Sequence, residues 1–148
     1  MRGRFRVAPQ PPAQCQYTIR GHRLPGNEYV IAGTTVSVEK TTMGDYYFVS
    51  PATGHSLVKN FKPLDFNMWY NGEYGYITPI LAYTISAPEW VPVLSSGASN
   101  WLADKGTVMA AAELKYGKGL FRICEVQLVD RIKYNPSAFD FLDKILSK

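Results

Sequence analysis

Histidine and cysteine are both scarce: His22, His55, Cys15 and Cys124 are the whole supply in 148 residues. Two cysteines cannot staple a disulfide scaffold, and their separation fits no zinc-ligand spacing. No His-Glu-x-x-His, paired Cys-x-x-Cys or calcium-loop motif occurs, so no metal site is expected. The strained Gly-x-Ser-x-Gly or Gly-x-Cys-x-Gly elbow that exposes a nucleophile is missing too. No Gly-x-Gly-x-x-Gly or phosphate loop opens a helix, and no cofactor is expected. No apolar run approaches the ~18 residues of a membrane span. The N-terminus carries Arg2, Arg4 and Arg6 without the ~7–15-residue apolar block of a signal peptide, so no targeting segment is expected. Charged residues make up only 19% of the chain. With 46% apolar residues, the length suits one compact domain with a core of its own.

The net charge is +4, and its placement is informative. Arg2, Arg4, Arg6, Arg20 and Arg23 all precede the first acid, Glu28. From Leu24 onward, eleven basic residues face twelve acidic ones. The body is therefore close to neutral, which argues against a nucleic-acid surface. Residues 1–27 hold Pro9, Pro11, Pro12 and Pro25 and read as a basic arm, with an edge strand near Tyr17–Ile19. Residues 28–148 read as a single domain.

Within that domain, Tyr29–Glu39 reads as strand broken near Gly33. Met43-Gly44-Asp45 reads as a turn, and Tyr46–Ser50 as a strand stopped by Pro51. Phe61–Trp69 suits a short helix with Pro63 in its first turn. Ile77–Ile85 is strand-like with a kink at Pro79. Trp90–Leu94 reads as a short buried strand, followed by a polar loop from Ser95 to Asn100. Thr107–Tyr116 and Leu120–Val129 are apolar runs joined by Tyr116-Gly117-Lys118-Gly119. The glycines there suit a hairpin, not a phosphate loop. A closing helix starts at Asn135-Pro136, with Ala138, Phe141, Leu142 and Ile145 in one stripe. Strands outnumber helices, so one sheet face is expected to need cover from another chain or domain, or from the missing part of a longer protein.

His55 reads as a loop histidine bonding to backbone, and Cys124 as a small buried hydrophobe. Asp130 and Arg131 read as structural, orienting the connection into the last helix. Asp65, Glu73, Glu89 and Glu113 lack the local context that would tune a pair for glycoside cleavage. The compositional excess is aromatic, at 14%. It is densest in Trp69-Tyr70-Asn71-Gly72-Glu73-Tyr74-Gly75-Tyr76. Rings of this kind fill cores and protein interfaces, and they also stack on sugars or bases. Trp69, Tyr70, Asn71, Glu73 and Tyr74 are therefore candidate contacts for a carbohydrate or a partner.

Four segments occur in a recognisable order: Thr53-Gly54-His55-Ser56-Leu57-Val58-Lys59-Asn60-Phe61, Asp65-Phe66-x-x-Trp69-Tyr70, Ile77-Thr78-Pro79-Ile80-Leu81 and Trp90-Val91-Pro92-Val93-Leu94. Tyr116-Gly117-Lys118-Gly119, Gln127-Leu128-x-Asp130-Arg131 and Asn135-Pro136-x-Ala138 follow. From about residue 36 to the end, this order resembles the C-terminal region of bacterial glycoside hydrolase family 2 (β-galactosidase-like) proteins. There, a domain similar to class I glutamine amidotransferases follows the sugar-cleaving modules. The resemblance implies an α/β class: a strand-rich, incomplete flavodoxin-like domain with a mixed sheet and a C-terminal helix. It carries over no catalytic residue, because the nucleophile elbow, the family's catalytic His and Glu, and the barrel carboxylates have no counterpart here. The expectation is a non-catalytic accessory or assembly domain that packs on a hydrolase module or forms a homo-oligomer. The alternatives are a carbohydrate-binding module and glycoside hydrolase activity only as part of a larger protein.

Overall fold

The computed structural model describes residues 17–19, 27–40, 49–96 and 109–147. The Met43–Asp45 turn, His22, Cys15 and most of the N-terminal arm lie outside them. So do the ends of the expected segments at 46–48, 97–100 and 107–108.

The strands are β1 (Tyr17–Ile19), β2 (Glu28–Ile31), β3 (Thr34–Lys40), β4 (Val49–Pro51), β5 (Tyr70–Asn71), β6 (Tyr76–Ile77), β7 (Tyr83–Ser86), β8 (Val91–Ser96), β9 (Met109–Tyr116) and β10 (Gly119–Cys124). The helices are α1 (Leu64–Asn67) and α2 (Pro136–Leu146). Eight strands form one sheet in the order β1-β10-β9-β7-β3-β2, with β8 also on β9 and β4 outside β8. β1 runs parallel to β10, and the other pairings are antiparallel, so the sheet is mixed. Pro51 is tolerated because β4 is a short edge strand, where a missing N–H breaks no inner ladder.

β9 organises the sheet. Met109 pairs with Ser95 of β8 and with Ile85 of β7, which must therefore lie on opposite edges. β10 and β7 thus take the same edge of β9 in succession. The shifts of register at Pro92, Leu94 and Ser95 accommodate this branching. The first half of β9, Met109 to Ala112, is buried on both faces, which accounts for the unbroken run Ala110-Ala111-Ala112. Ala110 and Ala111 join the larger core, with Val93, Leu94, Cys124, Phe66, Phe141 and Ile145. Ala112 joins a second core on the other face, with Val36, Ile85, Trp90 and Met109.

The larger core is closed by rings from the two helices. Phe66 of α1 meets Phe141 of α2 edge-on at 5.3 Å and Trp69 at 5.6 Å. Phe61 packs on both phenylalanines. The expected stripe on α2 is the buried one: Ala138, Phe141 and Ile145 are buried, and Leu142 packs beside them. The second core carries no helix among the described residues. Tyr29, Ile31, Val38, Leu114, Phe121 and Ile123 lie half-buried on it.

Three expected elements differ in extent. The helix expected over Phe61–Trp69 covers only Leu64–Asn67, with Pro63 at its N-cap. The run from Ile77 to Ile85 is not one strand: Tyr76–Ile77 pairs with Tyr70–Asn71, whereas Tyr83–Ser86 pairs with β3. Pro79 separates them and sends the two halves to different sheets. β10 stops at Cys124, after which Gln127 donates its N–H to the Ile80 carbonyl at 2.7 Å.

The β9–β10 loop has Gly117 at φ 59, where a type II′ turn calls for glycine. The β2–β3 hairpin places Ala32 at φ 50 and Gly33 at φ 76, the left-handed pair of a type I′ turn. Alanine is strained there. Ala32→Asn is expected to raise the stability by about 0.5–1 kcal/mol, read as a shift of the urea midpoint at constant slope. Loss of stability would mean that this turn is not held in the left-handed region.

Candidate functional site

The short β5–β6 hairpin, loop 72–75, carries the aromatic-rich segment. It is fastened from beneath by residues far away in sequence. The side chain of Asn135 accepts the Tyr70 N–H and donates to the Tyr70 carbonyl, both at 2.8 Å. It thereby pairs with β5 as a strand would. Asn135 sits at the N-cap of α2 yet gives no side-chain cap, because its amide is spent on the hairpin and on the Arg131 carbonyl. Asn67 treats β4 in the same way, accepting the Val49 N–H and donating to its carbonyl at 2.9 Å.

Inside the loop, Asn71 Oδ1 accepts the N–H groups of Glu73 and Tyr74, an Asx turn that shapes the tip. Its Nδ2 donates to Thr78 Oγ1 at 3.2 Å. Gly72 donates its N–H to the Asp130 carbonyl and lies against Tyr134, where an added Cβ would collide with the ring. Arg131 closes the base. Its guanidinium donates to Gln127 O, Thr78 Oγ1 and Pro79 O, all neutral acceptors. Its Nε is buried without a partner among the described residues. Burial pushes the Arg131 pKa below its ordinary value, and the nearby Asp130 charge opposes that shift. The expected structural role of Arg131 takes this form: it ties the 127–135 connection to the Thr78–Pro79 segment that follows the hairpin.

The candidate contact residues divide accordingly. Trp69 is 2% exposed, packs on Phe66, and donates its Nε1–H to Ser137 Oγ at 2.8 Å. Asn71 is equally buried. Neither can meet a ligand, since both are committed to the fold. Tyr70, Glu73 and Tyr74 remain exposed, and so do Tyr76 and Tyr134. Tyr70 (40% exposed) and Tyr134 (49%) stand on the side of the hairpin that Ile77 shares, whereas Tyr76 (61%), with Tyr74 (60%) beside it, stands on the side of its register partner Asn71. Tyr70 meets Tyr134 edge-on at 5.5 Å, and Tyr74 lies 6.1 Å from Tyr76. Tyr134 escaped the sequence reading because it is 64 positions from Tyr70 and no local pattern links them.

A buried ionic chain lies elsewhere, against the larger core. His55 Nε2 is 3.1 Å from Glu113 Oε1, and Arg122 Nε is 3.1 Å from Glu113 Oε2. Leu57 donates its N–H to His55 Nδ1, which leaves Nε2 to carry the proton toward Glu113. Arg122 also donates to the carbonyls of Ile145 and Ser147 at the end of α2. The expected backbone bond of His55 is present, and the carboxylate across the sheet is an addition. All three side chains are engaged with one another, and none is aimed at an open site. Cys124 is buried, and that burial pushes its thiol from 9.0 up to about 12, the opposite of an activated nucleophile.

A cleft of about 410 Å³ runs between α2 and the segment from Asn60 to Asp65 at the start of α1, lined by Asp65, Asp140, Asp143, Lys144, Ser137 and Asn60. Among the described residues no group of three His, Cys, Asp or Glu is placed to hold a metal ion. No helix among them is long and apolar enough to cross a membrane. No known protein family, curated protein or solved structure matches the chain.

Proposed function

We propose that the chain is a non-catalytic accessory or assembly domain related to β-galactosidase-like glycoside hydrolases, docking through the exposed tyrosines of the β5–β6 hairpin. The observation that carries this reading is the rigid mounting of those rings. Tyr70, Tyr74 and Tyr76 are exposed on a hairpin whose backbone is held by Asn135, Asp130 and the Asn71–Thr78–Arg131 chain, and Tyr134 packs beside Tyr70. Preorganised aromatic side chains lose little entropy on binding, which is why such rings dominate recognition surfaces. The engaged state of His55 and the raised thiol of Cys124 support a role without bond cleavage. In the finer form of the reading, the domain is the later part of a flavodoxin-like, glutamine amidotransferase-like fold. The parallel β1–β10 pair and the helix that follows β10 support it, whereas the antiparallel pairing of the rest of the sheet does not.

The test is binding to a β-galactosidase-like hydrolase module from the same genomic neighbourhood, followed by light scattering, beside assays with a chromogenic galactoside and with glutamine. The expected result is association without turnover, weakened at least about tenfold by Tyr74→Ser. Turnover by the isolated chain, or association indifferent to Tyr74, would defeat the reading. The exposed phenols beside Glu73 favour a second reading, carbohydrate binding by Tyr70, Tyr74 and Glu73. Calorimetric heat with galactosides or plant polysaccharides, abolished by Tyr74→Ser, would establish it.

A further inference from the structure

We infer that Asn71-Gly72 is a self-modifying site held shut by the fold: when the β5–β6 hairpin opens, Asn71 deamidates through an internal succinimide. The chain has six asparagines, and only Asn71 precedes a glycine. The reaction needs no enzyme and no reagent but water. The Gly72 backbone nitrogen gives up its proton and bonds to Asn71 Cγ. The Cγ–Nδ2 bond breaks, and Nδ2 takes up a proton and leaves as ammonia. Water then opens the ring at either carbonyl, giving aspartate or isoaspartate. A glycine favours closure because no side chain shields the attacking nitrogen. The hairpin nevertheless requires both residues of this labile pair. Asn71 Oδ1 accepts the Glu73 and Tyr74 N–H groups, and any side chain at Gly72 would collide with Tyr134.

The closed hairpin opposes each step. Gly72 donates its N–H to the Asp130 carbonyl at 2.9 Å, so the proton that must leave is bonded to a group too weakly basic to take it. The Tyr134 ring packed on Gly72 resists the rotation that would bring this nitrogen to Cγ. The Asn71 amide is held at both ends, by two N–H groups on Oδ1 and by Thr78 Oγ1 on Nδ2. Thr78 is itself fixed by the buried Arg131. An attacking geometry therefore requires the hairpin to open, and the rate in the folded chain is the opened fraction times the rate of a free chain. Reaction makes the opening permanent. Either product loses the Nδ2 donor to Thr78. Isoaspartate also lengthens the backbone inside β5, where Asn71 pairs with Tyr76.

Peptide mapping by mass spectrometry tests this on the full chain, held at one neutral pH with and without denaturing guanidinium chloride. Denatured, Asn71 is expected to deamidate fastest of the six asparagines. In the folded chain its rate should be at least about a hundredfold lower. Tyr134→Ala, at an exposed position, takes the ring off Gly72 and should raise the folded-state rate about tenfold. Its denaturation midpoint, measured alongside, separates opening of the hairpin from global unfolding. The deamidated chain, isolated by its added negative charge, should exchange the Gly72 and Gly75 amide protons at least about tenfold faster than the parent, with β9 unchanged. A smaller ratio between denatured and folded rates overturns the inference, as does faster reaction at another asparagine in the denatured chain. A Tyr134→Ala chain that reacts at the parent's rate overturns it too, and so do parent-like Gly72 and Gly75 amides after deamidation.

Discussion

Replacing Glu113 with alanine is expected to lower the free energy of unfolding by roughly 3–5 kcal/mol. The carboxylate is 16% exposed and is held between His55 Nε2 and Arg122 Nε. Without it, a guanidinium that is only 6% exposed keeps its charge and loses its counter-ion. Desolvated charge without a partner is among the costliest defects a core can carry. The imidazole N–H loses its acceptor in the same substitution. Glu113→Gln should cost less, because the amide oxygen still accepts from one neighbour while the charge is gone. The damage should also travel. Arg122 holds the Ile145 and Ser147 carbonyls, so hydrogen exchange in the last turn of α2 should quicken more than in β3. Glu89→Ala, at an exposed position, is the control and should stay within about 0.5 kcal/mol. Urea titration measures all three. A loss below about 1 kcal/mol for Glu113→Ala would mean that water already screens the chain.

What could be read from the sequence was local. The Tyr116–Gly119 hairpin and the α2 stripe follow from spacing alone, because the residues that decide them are neighbours in the chain. Pro136 after Asn135 marked the helix start correctly, but the Asn135 amide reaches the Tyr70 backbone, which lies in a different element. Periodicity cannot see such a bond. The same holds for His55 and Glu113, which are 58 positions apart and meet only because β9 passes under the 52–58 turns. The run through Pro79 misled for another reason. Alternation marks β character but does not name the partner strand, so two short strands of different sheets read as one. Trp69 and Tyr70 looked alike in a row of aromatics. Which of them is inside depends on α2, whose Ser137 lies 68 positions away and takes the indole N–H.

That division yields the other large effect. Trp69→Ala is expected to cost about 3–5 kcal/mol, since it empties the space between Phe66 and the start of α2. Trp69→Phe keeps a ring but drops the donor to Ser137, whose hydroxyl still donates to the Asp65 carbonyl. Its cost should be smaller, about 1–2 kcal/mol. Tyr74→Ser should leave stability within about 0.5 kcal/mol, because the ring is 60% exposed. The two positions should therefore separate two properties that the sequence runs together. Trp69 variants should unfold at lower denaturant, yet their folded fraction should dock like the parent. Tyr74 variants should melt like the parent and fail to dock. If Trp69→Phe instead weakens docking at full stability, the indole belongs to the recognition surface and the burial of its ring by α2 is not the state that binds.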